Sequence, residues 1–205
     1  MNETLKFSRR NLPHWLVANK SYFVTLRLHG TLPKSVLDEF AELKGLHSQC
    51  LTDEEVLQLQ RRKFKYIERY LDCNSTENYL DNTDVADMVF QNLQWFSSKG
   101  WVIHASTILS THIHLLMSNT EGKTVNLLND LSLFKRYTGR KANVILNRIG
   151  DFWAREDFDH WIRTNSKFEN TVKYIAMNPV KANRVKDWKE WRWTFVEESL
   201  VDCIN

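Results

Sequence analysis

The chain is short of cysteine, of long apolar runs and of net charge. Among its 205 residues are three cysteines, Cys50, Cys73 and Cys203. They are odd in number and widely spaced, so they form neither a disulfide framework nor a C-x-x-C metal knuckle, and a reducing cytoplasm is the expected compartment. No apolar run approaches the roughly 20 residues of a membrane span. Met1-Asn2-Glu3-Thr4-Leu5-Lys6 carries an acid and leads into no apolar stretch, so no secretory signal is expected. Internal repeats and low-complexity segments are lacking. The net charge is only +3, which permits a nucleic-acid partner without demanding one.

What is present is ordinary for a globular protein: 42% hydrophobic and 26% charged residues, enough for one domain, 1–205, with a real core. Cations gather at Arg61-Arg62-Lys63-Phe64-Lys65 and at Lys135-Arg136-Tyr137-Thr138-Gly139-Arg140-Lys141. Runs of this kind are usually solvated helix faces. Of eight tryptophans, Trp188, Trp191 and Trp193 crowd the C-terminal end. Packing is the first reading for them, and stacking on unpaired bases the second.

Residues 1–20 read as irregular. Tyr22 to Leu28 is rich in aromatic and β-branched residues and reads as a strand. Helical spacing follows over 35–48, over about 52–71 (opened by the capping box Thr52 to Glu55) and from Asp84 to a stop at Gly100. Trp101–Thr107 and Thr111–Met117 read as an antiparallel pair of strands. A helix through Val125, Leu128, Leu131 and Phe134 comes next. A fourth strand is expected within 152–162. A last helix opens at the capping box Ser166 to Glu169 and is expected to end near Asn178, because Pro179 disfavours helix in the residue before it. The order is βαββαβ: an α+β, ferredoxin-like fold with a four-stranded antiparallel sheet. The helical insertion covers about 35–98 and the C-terminal tail about 183–205.

Chemistry concentrates at two places. His112 and His114 lie two apart on a strand and share a face, with Ile113, Leu115 and Met117 on the other. Two imidazoles so placed suit a divalent metal, or are ordinary half-buried polar residues. On the last helix Phe168, Val172 and Ile175 form an apolar stripe, and Lys167, Asn170, Tyr174 and Asn178 fall on the opposite side. A tyrosine hydroxyl, with its pKa of about 10, is a weak nucleophile unless charge at its target is neutralised. His112, His114 and Asn178 could hold an ion while Tyr174 attacks a phosphodiester.

These residues fall within Thr111-His112-Ile113-His114-Leu115-Leu116, Phe152-Trp153 through Asp159-His160-Trp161-Ile162-Arg163, and Val172-Lys173-Tyr174-Ile175-Ala176-Met177-Asn178-Pro179-Val180-Lys181-Ala182. With them the chain resembles the HUH single-tyrosine transposases, and among those the REP-associated tyrosine transposases of bacteria. Leu12-Pro13-His14-Trp15 and Phe23-Val24-Thr25-Leu26-Arg27-Leu28 extend the likeness over nearly the whole chain. It departs in the turn before the first histidine, where Leu109-Ser110-Thr111 stands for a Met-Pro-Asn type of turn.

The resemblance implies an endonuclease and strand transferase for single-stranded or hairpin DNA, dependent on Mg²⁺ or Mn²⁺ and acting through a 5′-phosphotyrosine link. It assigns His112, His114 and Asn178 to the metal and Tyr174 to the nucleophile, and it implies a cytoplasmic protein, nucleoid-associated when bound to DNA, acting as a monomer or homodimer. The alternative is a catalytically silent nucleic-acid-binding regulator on the same fold. His160 is a possible additional catalytic group, or a packed one beside Trp161, and Tyr137 is a rival nucleophile within a basic run. Expected DNA contacts are Arg9, Arg10, Arg61, Arg62, Lys63, Lys135, Arg136, Arg140 and Lys141, which would position a strand through its phosphates.

Overall fold

A computed structural model of the chain describes residues 20–33, 35–36, 58, 64, 66–68, 70–71, 77–120 and 125–204, together with the backbone of 4–9 and 13–17. Most of the expected helices over 35–48 and 52–71 therefore lie outside the described residues. So do Arg10, Arg61, Arg62 and Lys63, and of Arg9 only the backbone is described.

Strands β1 (Thr4–Arg9) and β2 (Pro13–Val17) pair antiparallel as a two-stranded ribbon. The start of the chain is thus not irregular. Thr4-Leu5-Lys6-Phe7-Ser8 does alternate polar and apolar residues, a strand signal that an irregular reading neglects, whereas Pro13-His14-Trp15-Leu16-Val17 carries no such alternation.

The main sheet is built from β3 (Ser21–Arg27), β4 (Trp101–Ile108), β5 (His112–Asn119), β6 (Phe158–Trp161) and β7 (Thr194–Val196). Its order is β6-β3-β5-β4-β7, antiparallel throughout. The first four strands reproduce the ferredoxin-like arrangement, with the βαββαβ chain returning to the sheet edge. The fifth strand corrects the expected count of four. Three residues of the presumed tail add to the edge of β4, and the sequence carries too short a run there to reveal a strand. Two indoles secure this tail. Trp191 Nε1 donates to Ile108 O at 2.8 Å, and Trp193 Nε1 donates to Asp87 at 2.8 Å.

Alternation along the strands divides the core in two. Tyr22, Val24, Leu26, Ile113, Leu115 and Met117 face one side, where α1 (Thr83–Asn92), the one-turn α2 (Trp95–Ser98) and α3 (Leu127–Ile145) cover them. Asn82 caps α1, its side chain accepting from Val85 N at 3.1 Å. Gly100, at φ +87°, closes the segment in the left-handed region as the sequence predicts. In mid-α3, Gly139 lets Phe152 and Trp153 approach: a Cβ there would meet both side chains at 3.4 Å.

The other face carries Phe23, Ala105, Leu116 and Phe158, covered by α4 (Asn165–Lys181). Two expectations about α4 are corrected. Its cap is Thr164, whose hydroxyl accepts from Lys167 N at 3.3 Å, rather than Ser166. It also runs past Asn178 to Lys181 with Pro179 inside. Asn178 and Pro179 are both buried, and Ala182 N bonds Asn178 O at 2.9 Å, so tertiary packing overrides the local bias against helix before proline.

Among the residues between β3 and α1, Phe64, Tyr66, Ile67, Glu68, Tyr70 and Leu71 are helical. Ile67 and Leu71 pack with Leu32 and Val36, while Phe64 reaches the core under α4.

Candidate active site

The centre of the α4-covered face is the cross-strand row Thr25, His114 and Thr107, with Arg27 opposite His112 one pair further on. Both histidines are almost fully buried. Their Nε2 atoms point at each other, 3.1 Å apart. Each Nδ1 is held by a threonine: His114 by the Thr25 hydroxyl at 3.0 Å and His112 by the Thr111 hydroxyl at 2.7 Å.

The hydrogen bonds fix the state of His112. The Thr111 hydroxyl has one proton and donates it to Leu71 O at 3.3 Å. Its oxygen must therefore accept from His112 Nδ1–H. Burial, and secondarily the neighbouring His114, hold the His112 pKa well below its ordinary value. The ring is neutral, and its Nε2 lone pair faces inward. In the metal-free protein His114 fills that lone pair with its own Nε2–H, and the Thr25 hydroxyl donates to His114 Nδ1. Moving the His114 proton to Nδ1, with the Thr25 hydroxyl turned to accept it, frees both lone pairs at once.

A third donor closes the group. Glu68 is buried, and among the described residues its carboxylate oxygens have no hydrogen-bond partner. One of them lies 3.5 Å from His114 Nε2, an ion-pair contact too long and poorly directed to be a hydrogen bond. Ligand atoms of Glu68, His112 and His114 all lie within 4.8 Å of one another. An octahedral ion with bonds of about 2.1 Å places adjacent donors about 3 Å apart; the 3.1 Å between the two Nε2 atoms matches this, and the 3.5 Å from Glu68 to His114 Nε2 needs a small inward shift of the carboxylate. The orphaned carboxylate, the two facing nitrogens and the threonine-held Nδ1 atoms all suit a divalent metal.

Glu68 was missed in the sequence, yet a signal was there. Phe64, Ile67, Glu68 and Leu71 stand at i, i+3, i+4 and i+7, so the acid occupies an apolar stripe where a carboxylate has no packing role.

The Tyr174 ring packs beside this centre. Its centroid lies 5.4 Å from that of His114, 5.9 Å from Phe23 and 6.3 Å from Phe64. Phe23 stacks on His114 at 5.3 Å and backs it. Tyr174 and Asn178 are therefore not on the outer face of α4. Lys167 and Asn170 are exposed, whereas Tyr174 is half-buried and Asn178 buried. They occupy the flank of the helix that closes against Phe64, a second wall that helical periodicity around one stripe does not show.

Two cations adjoin the centre. Lys181 Nζ sits over the Tyr174 ring, 4.9 Å from its centroid. Arg27 is half-buried in register with His112. Burial draws its guanidinium pKa down against the opposing fields of Asp157 and Glu156.

Of the remaining candidates, His160 lies beside the same aromatic wall, and the α3 residues lie apart from it. His160 packs among Phe23, Phe64 and Phe158, at ring distances of 5.4, 6.5 and 5.7 Å. Lys135 is engaged internally: its Nζ donates to Ala154 O at 2.9 Å, to Arg155 O at 3.2 Å and to Asp157 at 2.7 Å. Arg136, Tyr137, Arg140 and Lys141 are exposed on α3, in the helical layer on the far side of the sheet from the histidines.

No family model and no curated protein sequence matches the chain. Among solved structures it is similar to a REP-associated tyrosine transposase bound to a REP hairpin. The TM-score is 0.53 at 17% identity, over 93% of this chain and 82% of that one. The likeness is one of fold. It agrees with the α+β architecture. Among the described residues, no helix is long and apolar enough to cross a membrane.

Proposed function

We propose that the protein is a metal-dependent endonuclease and strand transferase for single-stranded or hairpin DNA. The observation that carries this reading is the convergence of Tyr174 on a buried group of three metal donors, Glu68, His112 and His114. Asn178, buried one turn after Tyr174, is a further candidate donor. Mg²⁺ and Mn²⁺ both suit the chemistry, and the two imidazoles favour Mn²⁺, since Mg²⁺ prefers oxygen donors. A divalent ion bound there supplies positive charge to a phosphodiester oxygen.

The chain's own groups account for the rest. Tyr174 Oη forms a bond to phosphorus as the bond to the 3′ oxygen breaks. The phenol proton passes to solvent, and the departing oxygen takes up a proton as a 3′ hydroxyl. The protein remains joined to the 5′ phosphate. Because one phosphodiester replaces another, a 3′ hydroxyl of a second strand can reverse the step and join to it. Lys181 and Arg27 add fixed positive charge near the phenol and the histidines, where negative charge develops.

The test is a hairpin oligonucleotide with single-stranded flanks, incubated with the protein and Mn²⁺ and run on a denaturing gel. A covalent protein–DNA adduct is expected, lost with EDTA and lost in Tyr174→Phe while binding persists. Cleavage that survives Tyr174→Phe would mean a water nucleophile and sink the assignment. Binding with no adduct under any metal would select the silent regulator.

A further inference from the structure

The cations of α3 that the catalytic reading leaves unused line a groove of their own. It has a volume of about 720 Å³ and lies among α1, α2 and α3, outside the core that backs the sheet. Phe134 is buried at its floor, Trp95 is half-buried, and Arg136, Tyr137, Arg140 and Lys141 are exposed around it. Among the described residues, none that lines it is acidic. Tyr137 is 48% exposed, with the Lys141 ammonium 5.2 Å from its ring centroid. Beside the groove, outside its lining residues, Lys99 Nζ stands 5.2 Å from the Trp95 ring centroid.

A helix face that is merely solvated carries charge in both signs. It does not need two accessible aromatic rings, each with a cation beside it, around a concave surface. Flat apolar faces next to unopposed positive charge match the two parts of an unpaired nucleotide: a base to stack and a phosphate to neutralise.

We propose that this groove is a second binding site for single-stranded DNA, on the opposite side of the sheet from the Glu68/His112/His114 group. Bases stack on Tyr137 and Trp95, and Arg136, Arg140 and Lys141 take the phosphates. The choice of DNA rests on the proposed endonuclease function; the preference for an unpaired strand rests on the groove alone. Such a site would hold flanking unpaired nucleotides while the cut is made across the sheet. Arginine and lysine contacts of this kind give affinity and position without reading sequence.

The experiment is fluorescence anisotropy of a labelled oligo(dT) of about 15 nucleotides, near the upper footprint of one single-strand-binding fold. The full chain is used in EDTA, so that no metal chemistry contributes. Arg140→Ala/Lys141→Ala is expected to weaken binding at least tenfold and to flatten the slope of log K against log salt by about 1.4, two single-strand phosphate contacts. Tyr137→Ala should lose about five- to hundredfold and Tyr137→Phe almost nothing, since stacking needs the ring and not the hydroxyl. These side chains are exposed, so melting temperatures should stay at the wild-type value, which separates lost binding from lost folding.

Unchanged affinity in the double variant overturns the proposal. So does a Tyr137→Ala that binds like wild type, because the groove would then be a charge patch with no stacking. Oligo(rU) binding ten times more tightly than oligo(dT) would make RNA the occupant and overturn the choice of DNA. The oligo(dT) measurement runs in EDTA and needs no cleavage, so failure of the covalent-adduct test leaves this result standing, and the reverse.

Discussion

Replacing Glu68 by leucine should make the metal-free protein more stable. The carboxylate is buried, among the described residues its oxygens have no hydrogen-bond partner, and one of them lies 3.5 Å from His114 Nε2. An unsatisfied buried polar group costs about 1–3 kcal/mol. Leucine has a similar volume and continues the stripe of Phe64, Ile67 and Leu71. For a chain of this size, each kcal/mol moves the melting temperature by roughly 2–4 °C, so a gain of about 2 kcal/mol raises it by roughly 4–8 °C in EDTA.

The wild type should overtake the variant once metal is added. Free ion at about 100 times its dissociation constant contributes about 2.7 kcal/mol to a folded state that binds it, or roughly 5–10 °C. Glu68→Leu removes a charged donor and should lose most of that shift. The assay is calorimetry or dye-monitored melting of both proteins in EDTA, Mn²⁺ and Mg²⁺, with Mn²⁺ giving the larger wild-type shift. A Glu68→Leu protein that melts lower in EDTA, yet gains as much from Mn²⁺ as wild type, would refute the reasoning: the carboxylate would then be a structural residue.

Other measurements address the same centre from different sides. Because burial and His114 hold the His112 pKa well below 6.5, folding favours the neutral ring. Above pH 6.5 both states are neutral and stability is flat. As pH falls below 6.5 toward the depressed folded value, the unfolded chain takes a proton that the folded one refuses, and metal-free stability drops by up to about 1.4 kcal/mol per pH unit; His112→Asn should flatten this dependence in denaturant titrations, and an equal slope in the variant would place its origin elsewhere. Thr111→Val removes the acceptor for His112 Nδ1–H and the donor to Leu71 O, so metal affinity by calorimetric titration should fall about 10–100-fold with about 1–3 kcal/mol of stability; wild-type affinity would show that Thr111 does not set the tautomer. Lys181→Met should slow adduct formation about tenfold, or about 1.4 kcal/mol, with Lys181→Arg restoring most of it; an unaltered rate removes Lys181 from the chemistry.

How much of this was legible in the sequence depended on whether one local pattern carried the information. Period-two alternation from His112 to Met117 set both faces of β5, and the structure seats Ile113, Leu115 and Met117 in one core and both imidazoles in the other. The strand–helix–strand order was readable for the same reason. The direction of Tyr174 was not: it depends on Phe64, 110 positions earlier in the chain, closing against the flank of α4. Glu68 was overlooked because the basic run around Arg61 drew its helix toward a surface reading, when the acid two turns on was the anomaly. Three-residue β7 and the continuation of α4 through Pro179 are both settled by tertiary contacts that local propensity does not record.

The two halves of the centre also depend on each other mechanically. Glu68 and Phe64 are four residues apart on a helix, neighbours one turn apart. Among the described residues, Ile67 and Leu71 anchor the same segment on Leu32 and Val36. Phe64 is the ring that meets Tyr174 edge-on, and an ion drawing Glu68 to the histidines would hold that turn in place. Under the proposed function, an ion on Glu68 would fix the helical turn that carries the ring beside the Tyr174 phenol. The buried carboxylate, costly without metal, would then link metal occupancy to the placing of the nucleophile, which gives a residue that destabilises the empty site a reason to be in it.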